Sequence, residues 1–374
     1  MGEPWTGHPS WELVEEASDA SGRDVAGLLL TTDDDELRQT RNAQLATFTL
    51  SMVMVDAVNR IGVETRGHAG HSLGEYTALA SSGCLDFADA VRLVAERGEA
   101  MQVAAEEHEG TMAAVLGLAD ALVEQAAHAV DDVWVANYNA PGQVVIAGTP
   151  SGVEAGGEKA KELGAKRAMA LSVGGAFHTP HMMPAQDRLE KALSQTEFRN
   201  PDHPIYSNVD ASPHSSPEEI AELLGRQLTS PVRWSHAVER MVADGFSTLV
   251  EIGPGTALSG MAKRITKTTR NLKVNVPGDL DALLESLGAH DASERVLEGE
   301  VLYAYERMVV SPGSGVFTPV TNVAAGSVVK TGQLIGTVGD SDVRTLFNGD
   351  FMGYLALPGE RVHPAQPIAW LRTT

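Results

Sequence analysis

The stretch GHSLGEYTALA, Gly70 to Ala80, places Ser72 between two glycines with Glu75 close behind. It comes after TRGHAG, which reads as a short strand, and Leu73, Tyr76 and Ala80 then recur at helical spacing. A serine in that setting reads in two ways. It is a nucleophile on a tight strand-to-helix turn, where Gly70 and Gly74 remove Cβ atoms that would block the bend and the helix N-terminus offers N–H groups to an oxyanion. Or it is an ordinary N-cap serine. The G-x-S-x-G pattern alone does not separate the two.

A nucleophilic serine needs a base. GGAFHTPHM supplies His178 in a run bracketed by Gly and Pro, 106 residues after Ser72. No acidic residue has a clear claim as a third member, so a Ser/His dyad oriented by amide or carbonyl groups is the expected form. The competing readings are a surface-loop histidine, or half a metal site formed with His181. No third ligand of suitable spacing supports the metal. Arg97, in LVAERGEAMQ, sits on a mostly apolar amphipathic helix 25 residues after Ser72. It is either a solvated side chain or, facing the site, a planar fork suited to a substrate carboxylate.

The composition narrows the function classes. The 374 residues are 43% hydrophobic and 21% charged, with 28 basic against 50 acidic residues and a net charge of −22. That balance, with no basic patch interleaved with aromatics, speaks against a nucleic-acid partner. The basic stretches KRAMAL and MAKRITKTTRNLK read as solvated helix faces. No apolar run approaches the ~20 residues of a membrane span, and the N-terminus lacks the pattern of a signal peptide. The single cysteine, Cys84, excludes an internal disulfide and suits a reducing, cytoplasmic setting; it reads as a small core residue.

From Ser10 to about Val276, helical and strand-like segments alternate as in α/β proteins. Within them, residues 109–174 read in the order βαββαβ, a ferredoxin-like unit inserted into a larger domain made of 1–108 and 175–289. DLDALLESL closes that domain as a helix, and 290–300 reads as a polar linker. Residues 301–374 are rich in Gly, Val and Pro, with strand candidates and no helix. There AGSVVKTGQLIGTV and PGERVHPAQPIAWL align, matching Gly326, Val329, Gln333 and Ile335 with Gly359, Val362, Gln366 and Ile368. Two copies of one hairpin unit predict a small pseudo-symmetric β-sandwich.

GHSLGEYTALA, AVRLVAERGEAMQ, YNAPGQVVIAG, AFHTPHM, RQLTSPVRW and EIGPGTALSGMAKRI succeed one another in an order that resembles one family. It is the malonyl-CoA:acyl carrier protein transacylases, including the acyltransferase units of polyketide synthases. The resemblance runs from about Gly2 to Leu287 and implies an α/β-hydrolase-like parallel-sheet domain with the ferredoxin-like insert. The glycines of EIGPGTALSG then belong to a structural turn, since the Lys-Ser/Thr ending of a phosphate loop is lacking. By position, the resemblance makes Ser72 the acylated nucleophile, His178 its base and Arg97 the partner of the malonyl carboxylate. Gln227 would orient the histidine, the Leu73 N–H would form half of the oxyanion hole, and His71 would support the nucleophile. Phe177 stands where malonyl-selecting members carry phenylalanine. The implied partners are malonyl-CoA and an acyl carrier protein, in fatty-acid or polyketide synthesis, with no cofactor. The implied course is ping-pong through a malonyl-Ser72 intermediate.

Members of that family open with a strand ending in a GQGSQ-like turn, whose glutamine supports the oxyanion site. MGEPWTGHPSWELVEEAS matches the segment that members carry just after that turn. The resemblance therefore implies a sheet lacking its first strand, best explained by a start lying upstream. The C-terminal repeat resembles the biotinyl/lipoyl-type β-sandwich. Modified members carry a lysine at a hairpin tip where this chain has Asp340, Ser341 and Asp342, and Lys330 lies in another hairpin. An unmodified docking or structural module, with neither biotin nor lipoate, is the expectation. Two other readings stand beside the transferase: a thioester hydrolase using the same dyad, and a non-catalytic scaffold that binds carrier protein.

Overall fold

The central helix Thr40–Arg60 is buried over most of its surface, from Leu45 and Phe48 to Val58, because its sequence is apolar on nearly every face. Against it packs the helix Phe87–Glu107, capped by Asp86, whose side chain accepts from Ala88 N–H. The two helices touch at Gly98, where a Cβ would stand 2.9 Å from Arg41 Cα. That close approach brings Arg97 against Gln44 across the helix interface.

The computed structural model describes residues 1–294, 306–339, 341–345 and 347–372, and the chain divides into the units Met1–Ala289 and His290–Thr374. In the first unit the α/β sheet comes in two pieces. His68–Ala69 pairs in parallel with Ile205–Tyr206, which in turn pairs antiparallel with Pro213–His214. Thr248–Ile252 pairs in parallel with Arg270–Val274, and each of its five residues is half-buried. Among the described residues no strand joins the two pieces. The parallel pair at His68 is two residues long because the chain bends at Gly70. Beyond the bend the Asn208 side-chain amide continues the ladder, donating to Gly70 O and accepting from Ser72 N–H, both at 2.6 Å.

Residues 111–170 form a four-stranded antiparallel sheet with helices Asp120–His128 and Pro150–Glu162. The strands lie side by side in the order Val133–Ala140, Gln143–Gly148, Thr111–Leu116, Arg167–Ala170, over a core of their own that includes Val115, Val144 and Ile146. Its strand Val133–Ala140 is tied to the larger part of the unit by Tyr138 N–H to Val232 O and Val232 N–H to Ala136 O. Cys84 is fully buried.

One boundary differs from the sequence reading. The closing helix runs from Asp279 to Glu294, so residues 290–294 are helix where a linker was expected. Ala289, Ala292 and Glu294 are good helix formers, and no proline comes after Pro277 in the segment. The rest of that linker and the hairpin residue Asp340 lie outside the described residues.

From Glu306 onward the described residues of the C-terminal unit form two four-stranded sheets over one apolar core that includes Phe317, Val329, Ile335, Phe351, Val362 and Ile368. Its two sequence repeats have matching structures. Gly326 and Gly359 turn the chain at φ 87° and 84°, and their N–H groups donate to Phe351 O and Phe317 O. Gln333 Oε1 accepts from Lys330 N–H and Gln366 Oε1 accepts from His363 N–H, each at 3.1 Å.

Candidate active site

The sharp turn after His68–Ala69 is made possible by one glycine. A Cβ on Gly70 would lie 1.9 Å from the backbone of Gly74, so only hydrogen fits. Gly74 is different: a Cβ there meets nothing within 4 Å, which corrects the expectation that both glycines are sterically required. Ser72 sits at the apex with φ 52°, a left-handed conformation that costs a non-glycine residue about 1 kcal/mol or more. Asn208 holds it there through the Ser72 N–H.

Ser72 Oγ stands 2.7 Å from His178 Nε2, and His178 Nδ1 lies 2.9 Å from the main-chain carbonyl of Gln227. A carbonyl only accepts, so Nδ1 carries the proton and Nε2 presents its lone pair to the serine hydroxyl. His178 also has a left-handed backbone, φ 62°, and is buried. Burial, and then the Arg97 charge, push its pKa down to about 3, against the Gln227 carbonyl, which raises it. The ring is therefore neutral, as a proton acceptor must be.

Arg97 is buried to 1% exposure, with its guanidinium at the nucleophile. Nη2 donates to Ser72 Oγ at 3.0 Å and to Gln227 Oε1 at 2.9 Å, and Nη1 donates to Gln44 Oε1. Its face lies over the Tyr76 ring at 5.5 Å. Arg97 Nε and Tyr76 Oη, both buried, find no protein partner among the described residues.

Gln227 faces the site with both ends. Its Nε2 donates to Ser72 O at 2.9 Å and to Glu75 Oε2 at 2.6 Å. Glu75 is buried on the first turn of helix Gly74–Ser81. Desolvation pushes its carboxyl up to about 7, opposed by Gln227, the Asn208 N–H and the Arg97 charge. The Leu73 N–H, one residue past the apex, has no acceptor among the described residues. His71 places Nε2 2.8 Å from Asn139 Oδ1 and packs at 5.8 Å from the Trp234 ring; burial lowers its pKa.

Six of the seven residues singled out from the sequence thus gather around Ser72: Ser72 itself, His71, Leu73, Arg97, His178 and Gln227. Phe177, half-buried, packs its ring against Gly175 and the flanking apolar clusters. His181 is turned toward Trp134 and His108, at 5.3 and 6.2 Å between ring centroids. Sequence reasoning passed over Gln44, Glu75, Asn139 and Asn208. Gln44 carried a signal, a lone amide within an apolar helix, and Glu75 lay in the opening motif. Asn208 carried none, because its role depends on a contact 136 residues away in sequence.

A serine at a strained turn, an imidazole lone pair on its hydroxyl and a free N–H beside it define an acyl-transferring enzyme. The model of the acyl transferase domain matches residues 8–279, and the chain belongs to that family. The malonyl CoA-acyl carrier protein transacylase of Bacillus subtilis (strain 168) is 39% identical over 279 residues, 74% of this chain and 88% of the relative. Its namesake in Escherichia coli (strain K12) is 41% identical over 278 residues, 73% and 90% of the two chains. The crystal structure of an acyl carrier protein S-malonyltransferase from Vibrio cholerae superposes with a TM-score of 0.71 at 41% identity, covering 73% of this chain and 91% of that one. A malonyl-transacylase in complex with a type II PKS acyl-carrier protein gives a TM-score of 0.74 at 39% identity, over 76% and 94%.

Proposed function

We propose that the chain transfers a malonyl group from malonyl-CoA to the phosphopantetheine thiol of an acyl carrier protein, through a malonyl ester on Ser72. One observation carries the reading: Arg97, buried and charged at neutral pH, directs Nη2 at the nucleophilic oxygen itself. A malonyl carboxylate on that oxygen falls within reach of the guanidinium, and an acetyl group offers it nothing.

His178 Nε2 takes the Ser72 hydroxyl proton as Oγ attacks the thioester carbonyl. The Leu73 N–H donates to the oxyanion that forms, and the Gln227 carbonyl stabilises the imidazolium through Nδ1–H. Collapse of the intermediate expels the coenzyme A thiolate, which receives the proton from His178. Arg97 passes from Ser72 Oγ to the acyl carboxylate, which keeps its charge paired in the buried site. In the second half the carrier thiol gives its proton to His178 and attacks the ester, and Ser72 leaves as the hydroxyl.

The C-terminal unit reads as a biotinyl/lipoyl-like β-sandwich that carries neither group. The matched turns at Gly326 and Gly359 support the likeness, and the position of Lys330, whose N–H is held by Gln333, supports the absence of modification. A streptavidin blot of the full chain is expected to be blank.

The function is tested with labelled malonyl-CoA and carrier protein together. The label is expected on carrier protein, in excess over free malonate. Free malonate as the main product would make the chain a hydrolase, and no label on either would make it a scaffold.

A further inference from the structure

Glu75 has no part in the proton transfers, yet its carboxylate lies where the two halves of the site meet. It is 4% exposed, three residues after the nucleophile and on the first turn of the helix Gly74–Ser81. One oxygen accepts from Gln227 Nε2 at 2.6 Å, and both lie 3.4 Å from the Asn208 N–H. Each of these partners holds part of the machinery.

Gln227 has an amide whose two ends differ in kind. With Nε2 toward Glu75 and Ser72 O, its Oε1 must face Arg97, and it accepts from Nη2. If the amide turned over, an NH2 group would face a guanidinium, donor against donor, and Arg97 would lose a fixed acceptor. The Ser72 carbonyl, which only accepts, favours the same orientation, and Glu75 adds a second acceptor on that side. Glu75 makes the shortest contact to this amide, at 2.6 Å, and in its ionised form it accepts on both oxygens and donates on neither. The same Gln227 supplies the carbonyl that holds His178, so a displaced Gln227 side chain disturbs the base as well. Asn208, the second partner, clamps Gly70 and Ser72.

We propose that Glu75 is a positioning residue for malonyl selection: as a fixed acceptor it sets the orientation of the Gln227 amide, which aims Arg97 at the acyl carboxylate. This rests on the roles given above to Ser72, Arg97 and His178. Glu75 acts through Gln227 and touches neither substrate nor the reacting atoms.

The test compares malonyl-CoA with acetyl-CoA as donors to the full chain, reading kcat and KM for each. The variants are Glu75→Gln and Glu75→Asp. Glu75→Gln lets the two amides turn together, so kcat/KM for malonyl-CoA falls roughly tenfold or more, as expected for loss of a hydrogen bond to a charged group. Acetyl transfer falls less, so the malonyl-to-acetyl ratio drops and KM for malonyl-CoA rises. Glu75→Asp keeps a carboxyl acceptor and retains more of the ratio than Glu75→Gln. A folded Glu75→Gln chain with the ratio unchanged would overturn the proposal, as would a Glu75→Asp chain that loses as much of the ratio. If Glu75→Gln does not fold, Glu75→Asp decides: a ratio near the wild-type value supports the proposal, and a collapsed ratio refutes it. Failure of the functional reading is told apart because the unaltered chain would then show no malonyl preference.

Discussion

The side chains that hold Ser72 and the core of the C-terminal unit are both buried, and they are built from opposite materials. Around Ser72 the chain buries Arg97, Glu75, His178, Gln227 and Asn208, of which the first three are ionisable. In the C-terminal unit the described buried polar residues are Ser311 and Thr345, and its core is apolar. Burying a polar group is unfavourable unless it is hydrogen-bonded, and each member of the first set has at least two partners or a main-chain clamp. The contrast separates a region whose geometry must be specified atom by atom from one that only has to hold a shape. Left-handed backbone at non-glycine residues does not divide in the same way, since Ala365 in the C-terminal unit has φ 61°. Ser72 and His178 hold left-handed backbones where chemistry requires them. The C-terminal repeat places Gly326 and Gly359 at its matched turns, where no strain arises.

Four experiments probe this contrast. The largest effect is expected in the apolar core. Ile335→Ala and Ile368→Ala, equivalent positions that are both fully buried, should each destabilise the C-terminal unit by ~2–5 kcal/mol. Proteolysis of the full chain should then cut that unit while malonyl transfer is retained; loss of transfer would mean that the two units are coupled. Next, Arg97→Ala should lower kcat/KM for malonyl-CoA on the order of 100-fold, with a much smaller change for acetyl-CoA. Equal losses for both donors would remove Arg97 from acyl recognition.

Glycine substitutions at the turn come third. Gly70→Ala forces a Cβ into backbone at 1.9 Å and should cost ~2–3 kcal/mol in a denaturant titration. Gly74→Ala enters open space in a helix and should be neutral or stabilising by ~0.5–1 kcal/mol. Equal costs at both would contradict the turn geometry.

The smallest effect concerns pH. The folded-state pKa of His178, about 3, lies below its ordinary 6.5, so the unfolded chain binds more protons between those values. Stability is thus lost from this group as pH falls below 6.5. His178→Ala should gain about 2 kcal/mol relative to wild type between pH 8 and pH 5. Glu75 acts in the other direction. Its value is raised from 4.5 to about 7, so its burial lowers stability as pH rises through that range. A stability difference between His178→Ala and wild type that does not change with pH would mean that the ring is not held neutral.

Much of this organisation was legible in the amino-acid sequence. Helical spacing of Leu73, Tyr76 and Ala80 marked the helix after the nucleophile, and the repeat at Gly326 and Gly359 predicted matched hairpins. Ser72, His178 and Arg97 were visible because reactive side chains stood in distinctive settings: between glycines, between Gly and Pro, and on an apolar helix. Of the network that holds them, Gln227 was reached only through the family resemblance, and Gln44, Asn139 and Asn208 were not reached at all. Asn208 replaces a strand residue by its side chain, and Gln227 orients His178 through a main-chain carbonyl, which leaves no mark on residue type. The continuation of the last helix to Glu294 was obscured by the polar character of residues 290–294, since polarity tracks exposure and not helicity.

Every role given to the site depends on Ser72 carrying the malonyl group. The direct measurement is mass spectrometry of the full chain quenched after mixing with malonyl-CoA and no acceptor, with peptide mapping of the product. One malonyl adduct per chain is expected, on the peptide containing Ser72, discharged by added carrier protein and absent from Ser72→Ala. An adduct on another residue, or undiminished labelling of Ser72→Ala, would contradict that assignment.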